Sequence, residues 1–296
     1  MLTFETLPKQ LPWQPHAYLL LDGVSVKNLM AQAYQWFGMP DLHVLYANTP
    51  LAPCSELSPC LITLSGPNTP GLNRYFAHAA EEWGYLIFSE ASSFEVMTHL
   101  RLLLNAQYQP QGMKVWLRVA DPAVMQAIFS HAATAQKFEV FGPIDHVVLP
   151  DVINNTWQHH TRPSNEQRPL PQQPYALCEA QQAMLDEVSF RSTLKVLEKH
   201  VREKFPSYGA NGASDVRWQW VRKWADKAYA CGFTSNQDIC LYTNVFLLLG
   251  DDALEQHPDI ATLINQPSML TPSQRIEKAA ELAYRRSITL KGAVHE

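Results

Sequence analysis

Residues 98–124, THLRLLLNAQYQPQGMKVWLRVADPAV, place His99, Arg101, Arg118 and Asp121 in a short, otherwise apolar span. These are the residue types of acid–base chemistry, but their spacing argues for separate tasks. On a helix advancing about 100° per residue, His99 and Arg101 lie about 200° apart and cannot reach one substrate atom from the same face. They border the apolar stripe Val96, Met97, Leu100, Leu103 and Leu104, each placed to hydrogen-bond a neighbouring loop or strand. Asp121 precedes Pro122, as a helix cap precedes a first-turn proline. Arg118 reads as part of a strand buried on both faces, where a charge needs a partner. Asp22, just before Gly23 at the end of the first apolar strand, is the expected one.

A functional reading competes with this structural one. Ligands of open α/β sheets bind outside the carboxyl ends of the strands, where Asp22, Glu90 and Asp121 are expected, and three carboxylates there could hold magnesium. An α/β hydrolase or phosphotransfer enzyme would follow. Against it, the chain has no phosphate loop GxxxxGK[ST], no GxGxxG and no nucleophile elbow GxSxG. It also lacks HExxH, and His159 and His160 are adjacent rather than an i, i+4 pair. The five cysteines, Cys54, Cys60, Cys178, Cys231 and Cys240, are scattered without CxxC pairs and read as reduced, mostly buried thiols. Neither a metal nor another cofactor is expected, and no catalytic residue is assigned.

The elements that position these residues alternate through the first half. AYLLLDG (17–23) reads as a strand, VKNLMAQAYQWF as a helix, DLHVLYAN and SPCLITLSG as strands, and GLNRYFAHAAEEW as a helix. GYLIFSE is then a strand, SSFEVMTHLRLLLNA a helix capped by Ser92 or Ser93, and MKVWLRV a strand leading into the helix PAVMQAIFSHAA. This predicts an α/β amino-terminal lobe (1–150) with a mixed, largely parallel sheet. Residues 151–176, rich in Pro, Asn and Gln, read as a linker. An all-α lobe (177–296) follows, with the nearly all-apolar ICLYTNVFLLLG as its central helix. In that lobe DVRWQWVRKWADKAY carries Trp218, Trp220 and Trp224 among Arg217, Arg222 and Lys223. Trp220 and Trp224, with Val221 and Ala228, read as a core face, and Trp218 lies on another side. Because Trp and Arg are enriched at binding hot spots, Trp218, Arg217, Arg222 and Trp224 are the candidate partner-binding residues.

The 296 residues, 46% of them hydrophobic, suffice for two such lobes. The net charge of −5 and pI near 6.1 argue against nucleic acid as a partner. No apolar run approaches the roughly 20 residues of a membrane span, and Pro8, Pro12 and Pro15 interrupt any secretory leader, so no membrane association and a cytoplasmic location are expected.

YLLLDG, SPCLITL, the WG of EEWGYLIFSE, the HLRLLL helix, WLRVADPAV and FEVFGPI follow in order a pattern similar to domain-of-unknown-function family 4123 (DUF4123), the effector adaptors or chaperones of bacterial type VI secretion. ACGFTSNQDICLYTNVFLLLGDDALEQHPDI resembles that family's carboxyl-terminal signature, so the resemblance spans roughly residues 17–290. It departs at SPCLITL, where the family often has tyrosine in place of Cys60, and WLRVADP is less aromatic than usual before its Asp. The resemblance implies a non-enzymatic adaptor that binds a toxic effector and helps load it onto the trimeric VgrG spike protein. On that view Asp22, His99, Arg101, Arg118 and Asp121 are structural framework. The binding surface is then expected at the cleft between the lobes and along the Trp218 helix.

Overall fold

Successive side chains of the first strand enter two different cores, because strand residues alternate between faces of a sheet. Tyr18 and Leu20 of β1 (His16–Leu21) pack in one apolar cluster, and Ala17, Leu19 and Leu21 in another. This computed structural model describes residues 7–109, 112–163, 173–206, 208 and 214–293. It divides the chain into two compact units, Met1–Val188 and Ser189–Glu296.

In the first unit β1 is followed by α1 (Leu29–Phe37), β2 (Leu42–Val44), β3 (Cys60–Leu64), α2 (Leu72–Ala77), β4 (Gly84–Ser89) and α3 (Ser93–Leu104). Then come β5 (Asn105–Tyr108), β6 (Met113–Trp116), α4 (Pro122–Ala135), β7 (His146–Asp151), β8 (Thr156–Thr161) and β9 (Ala176–Leu177). Six strands form the main sheet in the order β2-β3-β1-β4-β7-β8, and β6-β5-β9 form a smaller one. Helices α1 and α2 cover one face, contributing Leu29, Ala33, Leu72 and Tyr75. Helices α3 and α4 cover the other with Val96, Leu100, Met125, Ile128 and Phe129.

The expected largely parallel sheet is not what forms. Among the described residues every pairing in the main sheet is antiparallel, and only β5 with β9, in the small sheet, is parallel. Two causes explain the error. Near-continuous apolar runs report burial on both faces, and this antiparallel sheet is covered on both. In addition, the crossovers are split. β3 and β4, joined through α2, run in the same direction but with β1 inserted antiparallel between them. β1 and β2, joined through α1, are likewise separated by β3. Strand–helix alternation reveals the crossovers but not the strand that intervenes.

Two local expectations also change. The MKVWLRV strand stops at Trp116 and belongs to the small sheet, so Arg118 lies in an irregular turn rather than a buried strand. Ser92 is the cap of α3, forming a reciprocal capping box with Glu95. The stretch 151–176, read as linker, contributes β8 at the edge of the main sheet; its residues 164–172 lie outside the described ones.

Helix α5 (Glu179–Lys204) carries residues of both units. The second unit is helical throughout its described residues: α6 (Ser214–Ala230), α7 (Asn236–Leu249), α8 (Ala253–Gln256), α9 (Pro258–Asn265) and α10 (Pro272–Ala293). Helix α7 buries Ile239, Cys240, Tyr242, Val245, Phe246 and Leu247 and packs against α6 and α10. Its apolarity all round reflects that central position.

Candidate functional site

Asp22 leaves β1 where the strand ends and is only 4% exposed. Its carboxylate accepts from the Val24 amide (3.1 Å), the Ser25 hydroxyl (2.9 Å) and Arg118 Nη2 (2.7 Å). The turn bearing Arg118 is tied to the sheet by the Tyr85 hydroxyl, which donates to the Val119 carbonyl at 2.8 Å. Arg118 Nη1 meets Asp121 Oδ2 at 2.8 Å, while Asp121 Oδ1 caps α4 by accepting from Ala123 and Val124 at 2.9 and 3.3 Å. One guanidinium therefore joins a strand end to a helix start. Burial pulls the Arg118 pKa down, but Asp121 and Asp22 together outweigh it and hold it above the usual value. Asp121 is held up because burial outweighs the pull of Arg118.

His99 and Arg101 diverge, as helix geometry requires. His99 Nε2 lies 2.7 Å from the Val140 carbonyl, which can only accept, so that nitrogen carries the proton. Burial lowers the imidazole to about 4, and its Nδ1 is enclosed without a partner. Arg101 reaches the opposite way and donates to the carbonyls of Val44 (3.3 Å), Leu45 (2.9 Å) and Ala47 (2.7 Å). It fastens the chain after β2, a task no sequence motif marks, because carbonyl acceptors carry no residue identity.

The proposed carboxylate crevice does not assemble. Leu21 pairs with Gly84 and His16 with Ser89, so Asp22 and Glu90 leave opposite ends of the sheet. Asp121 does come near Asp22, but the Arg118 guanidinium occupies the position between them. Among the described residues no group of three or more His, Cys, Asp or Glu side chains stands close enough to hold a metal. A cavity of about 570 Å³ in the first unit is lined by His99, His131, Tyr175, Cys178 and Gln181. Its polar groups bond mainly one another: Gln181 spans the Tyr175 hydroxyl (2.7 Å) and the Cys178 amide (3.1 Å), and the Cys178 thiol lies 3.5 Å from His131 Nε2. The Asp145–Arg162 ion pair escaped the sequence reading, since only β7–β8 pairing brings those two residues together.

In the second unit α5 and α6 lie side by side, linked by Arg217 Nη1 to Glu198 at 3.2 Å. Trp224 is 3% exposed and packs against Phe246 with ring centroids 4.6 Å apart, so it is core and cannot itself touch a partner. Trp218 and Trp220 are half-buried against the same cluster. The outward face presents Arg222, whose guanidinium lies 5.3 Å over the Phe190 ring, and Tyr229, edge-on to Phe190 at 5.3 Å and 38% exposed.

The chain matches the family described as Domain of unknown function (DUF4123) over residues 17–137. It is also 31% identical over 280 residues to the accessory protein VasW of Vibrio cholerae serotype O1, an alignment covering 93% of this chain and 90% of that protein. The chain belongs to the DUF4123 family. No solved structure matches it. The DUF4123 match runs from β1 to the residues just past α4 and includes Asp22, His99, Arg101, Arg118 and Asp121. Helices α5 to α10 lie beyond it and are related to VasW. DUF4123 membership and the similarity to an accessory protein point to a general adaptor role in type VI secretion. No described helix is long and apolar enough to cross a membrane.

Proposed function

We propose that this DUF4123 chain binds a type VI secretion effector and helps load it onto the VgrG spike protein. The observation that carries this reading is the similarity to an accessory protein along nearly the whole chain, through both compact units. In the first unit Asp22, Arg118, Asp121, His99 and Arg101 act as framework, each consumed in bonds to the fold itself. The α5–α6 face supplies a surface of the kind that partners use: Arg222 over the Phe190 ring and Tyr229 edge-on to it, with Trp218 and Arg217 about one turn before Arg222 on α6. Aromatic and arginine side chains held in place by their neighbours lose little entropy on binding.

The test is co-purification of the chain with the effector and the spike protein encoded beside it. Stable complexes at micromolar concentration, without turnover by the chain alone, support the reading. Failure of both partners to bind removes it.

A further inference from the structure

Adjacent His159 and His160 separate onto opposite faces of β8, because successive strand side chains do so. His160 turns toward α4, with its Nε2 2.9 Å from Gln126 Oε1. His159 turns to the other face, where the register pairing His146 with Thr161 and Val148 with His159 makes His146 its diagonal neighbour. Three donor atoms meet there. His159 Nε2 is 3.3 Å from His146 Nδ1, and Thr161 Oγ1 lies 3.0 Å from the first ring's partner atom, His146 Nδ1, and 3.5 Å from His159 Nε2.

A tetrahedral ion with bonds of about 2.0–2.1 Å keeps its ligands about 3.3 Å apart, so this triangle already has the bite of three corners of such a site. We propose that His146, His159 and Thr161 bind a divalent transition-metal ion of the zinc class, through two imidazole nitrogens and a hydroxyl or the water it holds. The ring protons then sit on His146 Nε2 and His159 Nδ1, outside the triangle. Burial lowers the pKa of both rings, and the His146 ring adds to the effect at His159. His159 is exposed and His146 half-buried, which leaves a path for the ion. Asp145 does not add a fourth ligand, since one of its oxygens pairs with Arg162 and the other accepts from the Glu90 amide. The remaining position is open to water or to a donor from another molecule.

Calorimetric titration of the full chain with zinc and nickel, together with the visible spectrum of added cobalt, tests the site. Wild type is expected to bind one ion with a cobalt spectrum of low coordination number. Affinity should fall roughly tenfold or more in His146→Gln and in His159→Gln, and less in Thr161→Val. His160→Gln, altered on the opposite face, should bind as wild type does. Thermal unfolding without metal checks that each variant is folded. Absence of binding by wild type, or wild-type affinity in either His146→Gln or His159→Gln, overturns the proposal.

Discussion

Arg118 Nη2 lies 2.7 Å from Asp22 Oδ2 across 96 residues of sequence, and the two partners are buried to different degrees: the Asp22 side chain is 5% exposed, that of Arg118 50%. The asymmetry sets the energetics. A fully buried pair losing one member costs about 3–5 kcal/mol, but here water can reach the guanidinium side, and Asp22 keeps its bonds to Val24 and Ser25. Arg118→Ala should therefore cost about 1–3 kcal/mol. Asp22→Ala should cost more, because it also strips the turn of two acceptor contacts. Urea unfolding of both single variants and the double variant measures the coupling, and additive losses would contradict a direct ion pair.

Burial lowers His99 from 6.5 to about 4, so the unfolded chain binds its proton more readily than the folded one. Stability from this group is complete above about pH 6.5 and is lost as pH falls toward 4, about 2 kcal/mol of it between pH 7 and 5. His99→Gln keeps a donor for the Val140 carbonyl but cannot titrate. Its unfolding free energy should fall less than that of wild type between those two pH values; parallel declines would show that His99 is not the group responsible.

Gly84 opens β4 where a side chain cannot fit, since an added Cβ would stand 1.9 Å from the Leu20 carbonyl oxygen. That obstacle is backbone of the neighbouring strand, so Gly84→Ala should cost about 4 kcal/mol or more and disturb the β1–β4 pairing. Gly38→Ala is the comparison. It has a positive φ of 77° with nothing near, and should cost only about 1–2 kcal/mol. Circular dichroism and thermal melts separate the two.

On α6 the prediction divides the residues by burial. Trp224→Ala empties a core position and should cost about 3–5 kcal/mol, whereas Arg222→Glu and Tyr229→Ala, which lose a surface contact with Phe190, should cost only about 1 kcal/mol each. If the α5–α6 face meets effector or spike, the latter two variants bind less well while staying folded, with melting points far above that of Trp224→Ala. Trp218→Ala is a poorer probe than the sequence suggested, because that side chain is partly buried against the core. Wild-type binding by both surface variants would move the interface elsewhere.

Much of the framework was readable in the residues. The Asp121–Pro122 pair announces a helix start because capping needs only a short acceptor and a donor-free first residue, both local. The divergence of His99 and Arg101 follows from helical rotation alone. The stretch ICLYTNVFLLLG, residues 239–250, betrays a central helix by being apolar nearly all round.

What the residues could not convey was direction and neighbourhood. An apolar run records that both faces of a strand are covered, and it reads the same whichever way the adjacent strand runs. The insertion of β1 between β3 and β4 therefore belongs to the tertiary structure. That insertion sends Glu90 to the end of the sheet away from Asp22, undoing the carboxylate crevice. The same pairing logic turns His159 away from its sequence neighbour and toward His146, thirteen residues back. Short-range order along the chain determines helices, caps and the alternation of faces, while long-range strand pairing decides which charges and rings meet, because hydrogen bonds between backbones carry no signature of the side chains they bring together.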